Sequence, residues 1–356
     1  MIKSQTNSSQ LAHKINIAVF SNENNHAFGD KKANGNNQSY IIEQLKSACN
    51  KHNVDASIIP LTSKTSNVSN DKIKTDYAVV RCATQECCDK LIEMHKEQAL
   101  KGIFIIGAGI NDFVNLAKQN PVLKEIPVIR NDNLDIANDM ADYALMHCLM
   151  QYRDMPYYLN AQQNKNYAPL ELHKKSDFPV GIMGGGNLGG TVAKALTQNG
   201  FNVQIWKRTA GNVGDIKCLH GQQDLGKFLS STRILINLLP LTQETTGILN
   251  KELLSQLPNK SIVMNLARGQ HQKTDDIIKL LNNGKLSHAV LDVTEEEPIP
   301  KNNPIWQNPK VTLTQHTAAK TRIDNACETH IQKISELQKG KNMKQISGRV
   351  DLEQGY

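Results

Sequence analysis

The chain has no run approaching the roughly 20 consecutive apolar residues that a bilayer-spanning helix requires, which argues against an integral membrane protein. Its N-terminal stretch also lacks the apolar core of a secretory signal, so a soluble, cytoplasmic protein is expected. The seven cysteines, at 49, 82, 87, 88, 148, 218 and 327, are odd in number and lack the regular spacing of a disulfide scaffold or zinc ribbon. Reduced thiols are expected, and no metal, because Cys82, Cys87 and Cys88 have no second Cys or His group at zinc spacing. Charge of one sign is scarce too: 41 Lys and Arg against 34 Asp and Glu leave a net +7. An excess spread so thinly accommodates small acidic ligands without demanding nucleic acid. Charged residues (21%) and hydrophobic ones (39%) both fall somewhat below globular norms, because Asn, Gln and Ser occupy many positions, chiefly near the N-terminus.

What remains is 356 residues of folded composition, enough for two domains. Residues 1–14 read as a frayed leader, and the Asn-rich segment 21–39 as a loop without hydrophobic period. Short apolar strands at INIAVF, DASIIPL, DYAVVRC and GIFIIGAGIND alternate with helical stretches at IIEQLKSAC and CCDKLIEMHKEQ, which implies a parallel sheet. A long helical stretch at 134–151 opens a second region, followed by a polar, Tyr-rich connector to about 177. Six further strands, FPVGIM, FNVQIW, RILINLLP, SIVMNLA, HAVLDV and VTLTQH, suffice for a complete doubly wound sheet. The last helical segment, ending at Gly340, has no strand left to join there and is expected to return to the first domain. The expected architecture is therefore α/β, with two doubly wound parallel-sheet domains and a ligand cleft between them. Residues 15–133 and 319–356 form a discontinuous domain, and 134–318 a continuous one.

After FPVGIM, Gly184, Gly186 and Gly189 form G-x-G-x-x-G with Asn187 and Leu188, and open the helix TVAKALTQNG. Gly184 permits the tight turn, Gly186 the approach of a pyrophosphate, and Gly189 the packing of helix on strand, while the helix N-terminus offers unpaired N–H groups. A dinucleotide site follows. Its next strand ends not in an acid that would bond a ribose 2′-OH but in Lys207, Arg208 and Thr209, suited to a 2′-phosphate. NADP is the expected cofactor, with NAD possible. Three polar groups end successive later strands: Arg268 in NLARG, the carboxylates of LDVTEEEP, and His316 in TLTQH. Strand ends face the ligand crevice in such sheets.

The ordered set GAGIND (107–112), IMGGGNLGG (182–190), INLLPLTQETTGILN (236–250), MNLARG (264–269), LDVTEEEP (291–298) and TQHTAA (314–319) resembles the D-isomer-specific 2-hydroxyacid dehydrogenases. The tail GRVDLEQGY brings it closest to their glyoxylate/hydroxypyruvate reductase A branch. The resemblance implies a Rossmann-type cofactor domain, a flavodoxin-like substrate domain, and hydride transfer to a small 2-oxoacid, in a homodimer formed through the cofactor domain. By the same match His316 is the acid that protonates the carbonyl oxygen, and Glu297 the carboxylate that orients it. Arg268 binds the substrate carboxylate, joined by the backbone of Ala108 and Gly109. Asp292 bonds the nicotinamide carboxamide, Leu239 and Pro240 run beside the cofactor, and Glu295 and Glu296 are spectators.

The sequence departs from the family pattern at Gln315, where Pro is usual, at Thr294, where Phe is common, and in the stretch Arg81 to Thr84, which bears on substrate size. The expected activity is NADPH-dependent reduction of glyoxylate to glycolate and of hydroxypyruvate to D-glycerate. The alternatives are the same chemistry on a bulkier 2-oxoacid, or a non-catalytic nucleotide-sensing protein of the same fold. The amphipathic stretch 134–151 is either part of the dimer surface or simple interdomain packing.

Overall fold

Short apolar runs bounded by polar turns form twelve strands in a computed structural model that describes residues 14–21, 37–61, 74–81, 83–98, 100–107 and 109–355. The leader before residue 14, most of the Asn-rich segment, Cys82 and Ala108 lie outside the described residues. The chain divides into two compact units, one running to Asn133 and resuming over Thr321–Gln354, the other spanning Leu134–Lys320.

In the first unit, β1 (Ile15–Phe20) is followed by α1 (Asn37–His52), β2 (Ala56–Leu61), β3 (Tyr77–Val80), α2 (Gln85–Gln98) and β4 (Gly102–Ile105). Then come α3 (Asn111–Lys118), α4 (Pro121–Glu125) and β5 (Val128–Arg130). All pairings are parallel in the order β2-β1-β3-β4-β5, the flavodoxin-like arrangement. The strand β5, just three residues long, is one more than the sequence pattern indicated. Both faces of this sheet are covered, which is why β3 and β4 are buried at every position rather than alternating.

The second unit opens with α5 (Leu134–Tyr152) and α6 (Met155–Gln163), the latter inside the stretch read as a connector. It continues through β6 (Val180–Met183), α7 (Asn187–Gln198), β7 (Val203–Lys207), β8 (Lys217–His220), α8 (Gly221–Ser230) and β9 (Ile234–Asn237). The remaining elements are α9 (Lys251–Leu254), β10 (Ser261–Asn265), α10 (Thr274–Asn282), β11 (Leu286–Leu291) and β12 (Val311–Leu313). Seven parallel strands, not six, lie in the order β12-β11-β10-β9-β6-β7-β8, the Rossmann arrangement with one strand added beyond β11. The unforeseen strand is β8, an edge strand of four residues (KCLH) with its first residue exposed and too little apolar character to signal itself. Helix α5 buries Met140, Ala141, Tyr143, Ala144 and Cys148 in the same core as Ile182, Val192 and Leu196, so its inner face is packing within its own unit.

The chain then re-enters the first unit with α11 (Ile323–Gln338), whose Ala326, Cys327, Ile331 and Ile334 pack among Ile17, Val19, Ile41 and Leu45. On the same helix His330 donates from Nε2 to Ile105 O at 3.0 Å, at the end of β4. The C-terminal segment is less polar in effect than it reads. Ile129 of β5 bridges Arg349 antiparallel, and Val350 and Leu352 are buried in the core. No helix among the described residues is long and apolar enough to cross a membrane.

Candidate active site

The glycine-rich turn sits at the end of β6, the strand from which the order runs outward in both directions. Gly184 has φ 112, and a Cβ there would lie 2.7 Å from Leu238 O. A Cβ at Gly189 would fall 1.9 Å from Gly184 O, so helix α7 approaches the turn as closely as it does only with glycine there. At Gly186 a Cβ would meet nothing within 4 Å, which leaves space in front of the N-terminus of α7. That terminus has no side-chain cap and no acid in its first turn, so the N–H groups around Asn187 and Leu188 suit an anion.

Lys207, at the end of β7, lies over this turn: a Cβ on Gly185 would lie 3.0 Å from its Cδ, and one on Gly211 3.0 Å from its Nζ. Arg208 is 3.8 Å from Glu244, an exposed pair worth little by itself. Thr209 is exposed, and the first acid after β7 is Asp215. The groups present therefore fit a dinucleotide with an additional phosphate on its ribose.

Across the sheet, His316 donates from Nδ1 to Glu297 Oε2 at 2.9 Å, since the carboxylate oxygen only accepts. Glu297 Oε1 accepts the Thr294 N–H at 3.0 Å. Burial pushes the Glu297 carboxyl up, but the His316 hydrogen bond, the Thr294 N–H and the charges of His316 and Arg268 outweigh it and hold the group below the usual carboxylate range. The pair is partly open, with side chains 27% and 30% exposed.

His316 has φ 54, a left-handed conformation rare outside glycine. Asp292 holds it there. Its carbonyl accepts the His316 N–H at 2.7 Å, and its buried carboxylate accepts Thr314 Oγ1 (2.5 Å) and the N–H groups of Thr317 (2.8 Å) and Ala318 (3.0 Å). Three of about four acceptor sites on Asp292 are thus spent on the turn that carries the imidazole. Thr314 in turn accepts from Tyr143, 2.6 Å away, because its own proton goes to Asp292. Nor is Glu295 idle: its Oε2 accepts the Thr274 N–H at 2.9 Å, a carboxylate at the N-terminus of α10.

Arg268 is held by a buried amide network that links two of the motifs. Asn237 Nδ2 donates to Asn265 Oδ1 (3.0 Å), and Asn265 Nδ2 donates to Arg268 O (2.9 Å) and Gln272 Oε1 (2.8 Å). The guanidinium donates from Nη1 to Ala267 O at 2.6 Å. Gly269 brings this turn against the neighbouring one, since a Cβ there would lie 1.7 Å from Thr294 O. Asn237 and Asn265 end two apolar strands, ILIN and IVMN, in register, a sequence signal that would have found them. Arg268, Glu297 and His316 thus converge in the second unit. Gly109 follows β4 in the first.

A Rossmann-type unit with an anion-accepting glycine turn and an imidazole–carboxylate pair near an arginine defines a nucleotide-dependent dehydrogenase. The family described as D-isomer specific 2-hydroxyacid dehydrogenase, NAD binding domain, matches residues 145–318. The chain is 39% identical over 267 residues to glyoxylate/hydroxypyruvate reductase A of Klebsiella pneumoniae (strain 342), a match covering 74% of this chain and 85% of that protein. Two solved structures share the fold. One is the D-isomer specific 2-hydroxyacid dehydrogenase of Xanthobacter autotrophicus Py2 in complex with NADPH and MES (TM-score 0.79, 27% identity, 96% of this chain and 99% of that one). The other is the NADPH-dependent glyoxylate/hydroxypyruvate reductase of Sinorhizobium meliloti with NADP and sulfate (TM-score 0.77, 26% identity, 96% and 99%). The chain belongs to the D-isomer specific 2-hydroxyacid dehydrogenase family and is an NAD(P)-dependent oxidoreductase.

Proposed function

We propose that the chain reduces glyoxylate to glycolate and hydroxypyruvate to D-glycerate with NADPH. The observation that carries this reading is the His316–Glu297 pair at 2.9 Å, placed so that the Arg268 charge is felt at the carboxylate. When bound, the reduced nicotinamide supplies a hydride to the carbonyl carbon. His316 gives a proton from Nε2 to the carbonyl oxygen, while Glu297 on Nδ1 stabilises the imidazolium and fixes the ring. Arg268 pairs with the substrate carboxylate through a planar fork that cannot deprotonate. In this reading residues 15–133 and 319–356 are the substrate domain and 134–318 the cofactor domain.

The turn at Gly184, Gly186, Asn187, Leu188 and Gly189 binds the pyrophosphate, and Lys207, Arg208 and Thr209 bind the 2′-phosphate. Leu239 and Pro240 flank the nucleotide, and Asp292 keeps one acceptor site for the carboxamide. The NADPH and NADP reported with the two structural relatives support the cofactor preference. The partly exposed apolar residues Leu145, Met146, Leu149, Met155 and Tyr158 on α5 and α6 support a homodimer formed through the cofactor domain. Free buried thiols at Cys49, Cys88, Cys148 and Cys327 support a reducing, cytoplasmic setting.

Nicotinamide absorbance followed with NADPH and NADH against glyoxylate, hydroxypyruvate, pyruvate and a branched 2-oxoacid tests the reading. Turnover of the first two with NADPH is expected, and no turnover with any of them sinks it. His316→Ala is expected to abolish turnover while NADPH still binds. Loss of cofactor affinity in that variant contradicts the assigned role.

A further inference from the structure

We infer that His271 is a positioning residue that ties Arg268 to the Leu239–Pro240 loop, so that one buried imidazole sets the backbone of both the substrate arginine and the nucleotide loop. The functional part of this rests on the reading of Arg268 and Pro240 given above. The structural part does not.

His271 is fully buried and lies one short turn after Arg268. Its Nδ1 is 3.2 Å from the Arg268 N–H and its Nε2 is 3.2 Å from Pro240 O. Pro240 O only accepts, so Nε2 must carry the proton, and the bare Nδ1 then accepts from Arg268. The opposite tautomer would set a ring N–H against the Arg268 N–H and leave a bare nitrogen facing Pro240 O. Nδ1 also lies 3.1 Å from Arg268 O, but that carbonyl already accepts Asn265 Nδ2 and the His271 backbone N–H. Protonation is disfavoured first by burial and also by the Arg268 charge, against the two carbonyl contacts, and the ring sits below its ordinary value. A neutral ring with one donor and one acceptor fits this place. The Asn237–Asn265 pair runs parallel to it, since Asn237 Oδ1 accepts the Leu239 N–H at 3.3 Å. Two buried side-chain links, His271 and the Asn237–Asn265 pair, therefore join the two loops beside the backbone bonds Gly247 N–H to Gln270 O and Leu249 N–H to His271 O (both 2.8 Å), and His271 Nδ1 accepts the Arg268 N–H.

The two ring nitrogens separate by substitution. Asparagine places an acceptor near the Nδ1 position and does not reach Pro240, whereas glutamine places a donor near Nε2 and gives up the Arg268 acceptor. Losing one buried hydrogen bond to a site-forming backbone group changes an equilibrium by about three- to tenfold. His271→Gln is expected to raise KM for glyoxylate by about that factor with NADPH affinity retained. His271→Asn is expected to weaken NADPH binding by a similar factor with the smaller effect on KM, and His271→Leu to do both. Variants that lose melting temperature while KM and NADPH affinity stay at wild-type values assign His271 a purely structural part and overturn the inference.

Nitrogen NMR of the wild-type protein labelled at histidine, with His271→Gln for assignment, is independent of turnover. A protonated Nε2 and bare Nδ1 is expected, and a protonated Nδ1 refutes the link. A wild-type protein without turnover defeats the proposed function, and the tautomer and NADPH titrations still decide the fate of His271.

Discussion

Replacing Gly269 by alanine puts one methyl group where the structure has backbone. The new carbon would stand 1.7 Å from Thr294 O, 2.0 Å from Thr294 C and 2.7 Å from Glu295 N. Carbon contacts relax near 3.5 Å, so the Arg268 turn and the Thr294 turn must part by roughly 1.5–2 Å. Neither can yield locally, because β10 and β11 pair from Ser261↔Leu286 through Asn265↔Leu291 immediately before these turns. Overpacking of this kind costs about 1–3 kcal/mol, and an obstacle made of backbone places it at the upper end. For a unit of this size ~3 kcal/mol corresponds to a fall in Tm of about 6–12 °C.

The functional loss should exceed the stability loss. Parting the turns moves Arg268 relative to Glu297 and His316, and a misplacement of about 1 Å costs on the order of a hundredfold in rate. Calorimetry and steady-state kinetics on the purified variant, below its Tm, measure the two effects separately. NADPH affinity should fall less than kcat/KM, because the glycine-rich turn belongs to β6 and α7. A variant with wild-type Tm and wild-type kcat/KM would show that the two turns are not locked together and would refute this reasoning.

Gly186→Ala is the counterpart: with nothing within 4 Å of the added carbon and an ordinary φ of −78, Tm should be unchanged by calorimetry while NADPH affinity falls at least tenfold in a fluorescence titration. Unchanged affinity would put the pyrophosphate elsewhere. Lys207→Ala with Arg208→Ala should weaken NADPH by about tenfold or more and leave NADH nearly unchanged, as removal of exposed phosphate partners predicts; equal losses would discredit the 2′-phosphate assignment. His330, held at about 4 by burial and secondarily by the Lys333 charge, folds neutral. Its contribution is fully present above its ordinary 6.5 and is lost as pH falls from 6.5 towards 4, with a slope of about 1.4 kcal/mol per pH unit. Urea unfolding across that range should show a shallower pH dependence for His330→Gln than for the wild type, and equal slopes would count against a neutral His330.

Most of the fold was legible because parallel strands buried on both faces have unbroken apolar centres, as VGIM, ILI in ILIN and IVM in SIVMN show. What escaped was short or polar: the three residues of β5, the edge strand β8, the short helices α3 and α4, and α6 within a polar stretch. The chemical groups were legible for a related reason. Arg268, Glu297 and His316 follow the ends of consecutive apolar runs, and a parallel sheet delivers strand ends to one edge. The groups that hold them in place were harder to read, because each acts across a distance in sequence that no single motif spans, although the strand ends ILIN and IVMN did carry a signal for Asn237 and Asn265. Asn237 reaches Asn265, Asp292 reaches Thr317, and Gly269 meets Thr294.

Those partners share a design. Asn237, Asn265 and Asp292 are buried, and each ties the end of one strand to a neighbouring strand end or turn, so Arg268 and His316 do not depend on their own loops alone for position. His316 illustrates the consequence. A left-handed non-glycine residue costs on the order of 1–3 kcal/mol, and the cost is met by four hydrogen bonds to Asp292, one on its carbonyl and three on its carboxylate. That same carboxylate is reached by Thr314 and, through it, by Tyr143 on α5. The strained imidazole is thus anchored to a helix in the core of its unit. Its side chain is nonetheless partly open, an arrangement that suits the acid role proposed for it, which needs both access to solvent and one orientation.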